Sequence, residues 1–428
     1  MKFCNKCAYP SNAKPTITFD DFGICSGCRY NDYRSNSEIN WAERFEELRN
    51  LLQEYSTLAR KNGAEYDCII PVSGGKDSSF QVWLVKEKLG LKPLLVHFNH
   101  QFNSTAGLRN LDNLIQVSNC DLITVSLEPD VIKKVARKMT LEIGDITWHY
   151  HAGIMTVPFR VAVKFRIPLI LWGEHGFGEL TGVVSLKDKP EFTNWKRKQY
   201  DMRGIDPLKL SQELDLPNGA LDELIFPSRE EIEKVGIRGI YLSNYLNWNA
   251  LEHAQEMHEK YGFSPITYRR DRTFNLYSKI EDHANDVHDY LKFLKFGYGR
   301  ATDDASMELR HERLSRTTAF ELINEYDSNE PQSLGYYLDY LELSRKDFFS
   351  AVENKRDLDV WEFANSTWKI KDDIQRYRLE QVNKPPIRQD LIFTKIFQPY
   401  YYNPANPPKS SGDEKLDKNS LRPEIGKL

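Results

Sequence analysis

The sequence predicts an α/β protein: a parallel, doubly wound sheet, preceded by a small cysteine-bearing module and followed by a mostly helical C-terminal region. Three observations carry this. Apolar runs of strand length alternate with helical periodicity from residue 66 to residue 172, the pattern of a parallel sheet covered on both faces. The first of these runs leads through a glycine-rich turn, Ser73-Gly74-Gly75-Lys76-Asp77-Ser78, into a helix. Two C-x-x-C pairs, Cys4/Cys7 and Cys25/Cys28, stand near the N-terminal end with seventeen residues between them.

The cysteine spacing defines the first module, residues 1–35. Two chelating knuckles at that separation fit a four-thiolate zinc ribbon, and the short hairpin-like segment between them is too small to fold without a metal. Disulfides would need an oxidising compartment. A redox pair would open a helix after a strand, and neither pair does. Cys68 and Cys120 read as packing residues. A linker helix follows within 36–62, with Trp41, Phe45, Leu48, Leu51, Leu52 and Tyr55 on one face.

The sheet domain is expected over 63–262. Its strands fall at 66–72, 93–98, 122–125 and 168–172, with a further strand at 239–245. Helices are expected at 79–89, 106–118, 129–141, 153–165 and 248–261. The stretch 181–238, rich in charge, proline and glycine, reads as an insertion over the active site or against a partner. The region 263–402 reads as helical, with segments near 279–294 and 304–326. The end, 403–428, is rich in Pro, Ser, Lys and Asp and reads as a disordered tail.

Bulk properties narrow the function classes. A chain of 428 residues, 40% hydrophobic and 28% charged, accommodates two or three globular domains. No apolar run approaches bilayer length and no signal-peptide pattern opens the chain, so a soluble cytoplasmic protein without a membrane partner is expected. A net charge of −4 gives no support to a nucleic-acid partner.

The chemistry concentrates in five places. The strand–turn–helix layout around Ser73, Gly74, Gly75, Lys76, Asp77 and Ser78 points backbone N–H groups and a helix N-terminus at a phosphate. It is not a Walker A loop, because Ile70 stands where that loop needs its first glycine. His97, Phe98 and Asn99, at the end of the second strand, are candidates for nucleotide contact; ordinary alternation of strand residues explains them equally. Gly173 and Glu174, with Glu179, follow the fourth strand, where glycine admits close approach and the carboxylates can hold Mg2+. Lys295 and Arg300, in K-F-G-Y-G-R, could clamp phosphates, or could mark a helix C-terminus with its usual glycine and bases. His151, in Trp148-His149-Tyr150-His151, is a candidate for substrate contact or acid–base work, with a packed histidine as the alternative.

The run S-G-G-K-D-S resembles the pyrophosphate-binding loop of the N-type ATP pyrophosphatases, with their adenine nucleotide alpha hydrolase-like fold. Together with the ribbon, P-L-I-L-W-G-E-H and K-F-G-Y-G-R-A-T-D-D, it resembles the N-acetyl sugar amidotransferases of lipopolysaccharide and nonulosonic-acid biosynthesis. The likeness runs from residue 1 to the middle 300s. It implies conversion of an acetamido group on a nucleotide-linked sugar to an acetamidino group, using ATP and Mg2+ besides the ribbon's Zn2+. It implies ammonia from a glutaminase complex resembling the imidazole glycerol phosphate synthase subunits. Ser73, Gly74, Gly75, Lys76, Asp77 and Ser78 would position pyrophosphate, Glu174 or Glu179 would hold Mg2+, and Lys295 and Arg300 would stabilise the charged transition state. Where relatives often carry an acidic residue and Asn-Gly after the second strand, this chain has Asn99-His100-Gln101. The rival reading is a tRNA-modifying enzyme of the same superfamily, a thiolase or lysidine-forming type. A zinc-ribbon binding module without catalysis would predict an eroded loop, and the loop is intact.

Overall fold

The computed structural model describes residues 1–36, 39–183 and 188–383. Its central sheet contains β1 (Cys68–Pro71), β2 (Pro93–Asn99), β3 (Leu122–Ser126), β4 (Leu169–Trp172) and β5 (Arg238–Tyr241). All neighbours are parallel and the order is β3-β2-β1-β4-β5. The fold is therefore the α/β, doubly wound arrangement the sequence predicts. Alternate strand residues face opposite layers. Ile70, Leu95, Leu171 and Ile240 pack into one core; Ile69, Leu94, Val96 and Ile170 pack into the other.

Helices cover both layers: α1 (Ser26–Ser35), α2 (Trp41–Lys61), α3 (Lys76–Trp83), α4 (Thr105–Ser118), α5 (Pro129–Ile143), α6 (Trp148–Phe165) and the short α7 (Gly176–Thr181). Their ends follow local chemistry. The Ser104 side chain caps α4 by accepting from Gly107 N–H, Pro129 opens α5, and Gly144 ends α5 in the left-handed region.

Several element boundaries differ from the sequence reading, and the helix expected near 304–326 is two helices parted at 311–315. The helix expected from 153 begins at Trp148, because Asp145 accepts both the N–H (2.9 Å) and the hydroxyl (2.8 Å) of Thr147 and starts the turn early. His149 and His151 are therefore helical. The strand expected over 239–245 leaves the sheet after Tyr241 and tightens into a 3₁₀ turn, Leu242–Asn244. The helix expected from 279 starts at Asn285, leaving 279–284 as an irregular strap.

The segment 188–237 is held to the α6 side of the sheet by buried Met202, Leu210, Leu221 and Leu224. The C-terminal region is mostly helical, with helices Asn285–Phe296, Arg300–Arg310 and Arg316–Tyr326, and carries one antiparallel hairpin, β6 (Trp361–Ala364) with β7 (Thr367–Ile370). The tail expected at 403–428 lies outside the described residues.

Candidate functional site

The glycine-rich loop occupies the C-terminal end of β1, where ligands of open parallel sheets bind. Its backbone is drawn into a tight cradle. Gly75 N–H donates to Ser73 Oγ at 3.3 Å, and the hydroxyls of Ser78 and Ser79 donate to Gly75 O at 2.9 and 3.2 Å. Gly74 has φ +85°, and a Cβ there would lie 2.1 Å from Gly107 O. Only glycine satisfies both constraints. Gly75 is the N-cap of α3, so that helix presents its N-terminus beside the loop.

Lys76 and Asp77 form a buried ion pair at the first turn of α3, with the ammonium 5.5 Å from the Tyr277 ring. His253, on the helix Ala250–Tyr261, lies 3.7 Å from Asp77 Oδ1 and stacks on Phe80 with ring centroids 3.6 Å apart. Burial works against the Asp77 carboxylate, but Lys76 and His253 outweigh it and hold its pKa well below the ordinary range. Glu174, one residue past Gly173, shows the opposite balance. Burial first, then the charge of Asp77, push it up to about 7 against the pull of Lys76 and Lys279. Gly173 is fixed by packing: a Cβ there would come 2.8 Å from Gln81 Nε2 and 3.0 Å from Trp248. Two acidic groups past the C-terminal ends of the neighbouring strands β1 and β4, one charged and one titrating near neutrality, are suited to a divalent cation on an anionic ligand.

The far wall comes from the strap at 279–284. A Cβ on Gly75 would lie 3.3 Å from Glu281 Oε1, and one on Gly107 would meet the Glu281 backbone. Lys279 is exposed at φ +55° and its charge reaches Glu174, His151 and Asp282. His253, Lys279, Glu281 and Asp282 were not singled out in the sequence. They sit in no motif and come to the loop only through tertiary packing.

Several sequence candidates lie elsewhere. Lys295 does not reach the loop: its ammonium donates to Gly144 O at 2.8 Å and so caps α5, and burial pulls its pKa to about 8. Arg300 is bound in two-pronged fashion by Asp289, at 2.9 and 3.0 Å. The glycine-and-base run thus ends one helix and begins the next, and it serves docking, since Lys14 N–H donates to Tyr298 Oη at 2.8 Å. The Phe98 ring is in the core against Gly153 of α6. His97 is buried with Nδ1 3.0 Å from Val72 O, where it braces the backbone entering the loop. Asn99 Oδ1 accepts from Gln101 N–H at 3.0 Å and Asn103 Nδ2 at 2.7 Å, fixing the next loop. Glu179 is turned to the ribbon, 3.6 Å from Arg34. His151 lies in a group of imidazoles, its ring 5.7 Å from that of His288.

The four ribbon thiols converge. Cys4, Cys7, Cys25 and Cys28 present sulfur atoms all within 4.8 Å of one another. Backbone N–H groups of Lys6, Cys7 and Cys25 point at Cys4 Sγ (3.3–3.4 Å), and Cys28 N–H points at Cys25 Sγ at 3.4 Å. Amides aimed at sulfur stabilise thiolates, so this donor set fits a tetrahedral zinc ion. Among the described residues no helix is long and apolar enough to cross a membrane.

A glycine–serine cradle at the C-terminal end of the first strand of a 3-2-1-4-5 parallel sheet is the arrangement that the resemblance to the N-type ATP pyrophosphatases implies. Residues 257–375 match the family model of the C-terminal domain of WbpG-like lipopolysaccharide biosynthesis proteins. An uncharacterised protein of Methanocaldococcus jannaschii is 28% identical over 136 residues, which is 31% of this chain and 47% of that protein. The match thus spans about half of that relative's length. Among solved structures, the NMN synthetase of Francisella tularensis gives a TM-score of 0.27 at 17% identity, over 54% of this chain and 99% of that one. The NH3-dependent NAD synthetase of Campylobacter jejuni gives 0.28 at 13%, over 46% and 95%. Those two likenesses are too distant to bear on activity.

Proposed function

We propose that the chain is an ATP-dependent, AMP- and pyrophosphate-forming amidotransferase that converts the acetamido group of a nucleotide-linked N-acetyl sugar to an acetamidino group in surface polysaccharide assembly. The observation that supports this most is that the WbpG-like region, residues 257–375, supplies the wall of the PP-loop site through Tyr277, Lys279 and Glu281. Nucleotide loop and polysaccharide-linked domain thus meet in one place.

An amide carbon is a poor electrophile and its oxygen a poor leaving group. ATP is the co-substrate that changes both. The carbonyl oxygen attacks the α-phosphorus, the bond to the β-phosphate oxygen breaks, and pyrophosphate departs, leaving an O-adenylated imidate. Ammonia adds to the imidate carbon, the carbon–oxygen bond breaks, and AMP leaves with the former carbonyl oxygen. The cradle of Ser73, Gly74, Gly75 and Ser78 would bind the departing pyrophosphate through N–H and hydroxyl groups, with Lys76 adding positive charge. Asp77 and Glu174 would hold Mg2+, whose charge offsets that on pyrophosphate. Ammonia would come from a glutaminase partner.

Mass spectrometry of the purified chain with ATP, Mg2+, ammonium and a panel of nucleotide-linked N-acetyl sugars tests this, with Asp77→Ala as control. Formation of AMP together with a sugar whose amide oxygen is replaced by NH supports it. AMP formation only on addition of bulk tRNA would replace it with RNA modification.

A further inference from the structure

Behind the strap lies a group of polar side chains that neither the loop nor the ribbon uses. Tyr150 of α6 donates to Asn285 Oδ1 at 3.3 Å and stands near enough to Asp282 to stabilise its carboxylate. Asp282 is 5% exposed. Its Oδ1 accepts Ala284 N–H at 2.7 Å, and its buried Oδ2 makes no hydrogen bond. The His100 ring is 4.8 Å from Tyr150, and the His151 ring 4.5 Å. The Tyr337 hydroxyl meets His283 Nδ1. The group's most exposed members are part-exposed His151 and Glu281 and exposed Lys279, whose charge acts on Glu174 as well as on His151 and Asp282.

The chemistry of this group selects its ligand. Burial lowers the pKa of His100, His149, His151 and His283, so these imidazoles are neutral at pH 7. With Asp282 among them they do not make an anion site. Among the described residues they do not converge at metal-ligand spacing either. Neutral donors and acceptors around one free carboxylate oxygen suit an uncharged amide, and afterwards the amidinium cation it becomes.

We infer that the strap residues 279–283, with Tyr150 and His151, seat the acetamido group of the acceptor, and that Asp282 takes its amide proton. This rests on the proposed function. As the carbonyl oxygen bonds to the α-phosphorus and pyrophosphate leaves, the N–H proton passes to Asp282 Oδ2, so the imidate forms neutral. When ammonia adds and AMP leaves, Asp282 returns that proton to the same nitrogen. One ammonia proton goes to solvent or pyrophosphate, and the amidinium remains paired with the carboxylate. Burial raises Asp282 to about pKa 8, a base strength matched to the N–H of an O-phosphorylated amide. The titratable groups facing it are Glu281, Lys279, Tyr150 and Tyr337.

The test uses the full chain with ATP, Mg2+, ammonium and UDP-linked N-acetylhexosamines carrying 18O in the acetamido carbonyl. Wild type moves the label into AMP. Asp282→Asn lowers that transfer by about 10²–10⁴-fold at unchanged ATP affinity. Asp282→Glu recovers part of it, and the rise in wild-type rate through about pH 8 is absent from the Asn variant. Tyr150→Phe raises KM for the sugar more than it lowers kcat. Transfer by Asp282→Asn within about threefold of wild type would overturn the inference, as would equal loss of ATP affinity. Unlabelled AMP or none from wild type itself would instead remove the proposed function, so the two failures are distinguishable.

Discussion

The Arg310 guanidinium donates to the carbonyl oxygen of Leu180 at 2.8 Å, joining the helix Arg300–Arg310 to the segment that follows β4. The same cation donates to Glu179 O at 2.5 Å, lies 3.8 Å from Cys25 Sγ and faces the Tyr9 ring at 5.1 Å. Ribbon, the segment after β4 and the C-terminal region therefore share one buried charge. Close packing reinforces it, since a Cβ on Gly182 would lie 2.3 Å from Ser26 O.

Arg310→Met is accordingly expected to act at a distance. Loss of a charged group behind metal ligands weakens metal retention about 10–100-fold. Leaving its buried partners unpaired destabilises the chain by about 3 kcal/mol. Release of zinc to a chromophoric chelator, followed beside urea unfolding, checks both. Wild-type values for the variant would show that ribbon and the segment after β4 are independent.

Gly74→Ala meets two obstacles, the left-handed backbone and the Gly107 carbonyl. We expect a cost of about 1–3 kcal/mol for the backbone strain and loss of measurable ATP binding by calorimetry. Gly176→Ala, where a Cβ meets open space, is the matched control and leaves binding intact.

Glu174 makes the site pH-sensitive. Its native pKa near 7 lies above its ordinary 4.5, so the native chain binds the extra proton between those values. Ligand-free stability thus falls as pH rises through that window. Glu174→Gln lacks the penalty and gains on wild type from about pH 5 to pH 8 in thermal melts. Cation binding runs the other way, since a proton on Glu174 competes with it. The Mg2+ concentration needed for half-maximal ATP binding rises below about pH 7 in wild type and stays flat in the variant.

Lys295 and Arg300 should behave as structural residues. Arg300→Met leaves Asp289 buried without its partner, a loss of about 3–5 kcal/mol. Lys295→Met removes the cap on α5 and costs about 1 kcal/mol. Neither is expected to change ATP affinity in the folded fraction; a tenfold loss in either would restore the phosphate clamp.

Much of the fold was legible because parallel strands buried on both faces are continuous apolar runs. Ile69, Ile70, Leu94, Leu95 and Val96 announce themselves that way. The loop and the ribbon were legible because each needs particular residues at fixed spacing. The rest of the site was not. Glu281 and Asp282 lie more than two hundred positions after Gly74, in a segment that reads as the start of a helix rather than as a site. Conversely, K-F-G-Y-G-R reads equally as a phosphate clamp and as a helix end, because glycine and base suit both. Only the partners, Asp289 for Arg300 and Gly144 for Lys295, separate the two meanings.

The ribbon's docking has a consequence for synthesis. Arg316 donates to Cys7 O at 2.6 Å across 309 positions, and Tyr9 donates to Asp303 at 2.9 Å. At about 5–20 residues per second on the ribosome, the ribbon emerges on the order of 15–60 seconds before the helices that bury it. Through that interval its short chain lacks its partners Asp303 and Arg316, and a bound ion would keep the knuckles closed. Metal supply while the nascent chain grows, rather than after its release, then governs how many molecules close correctly.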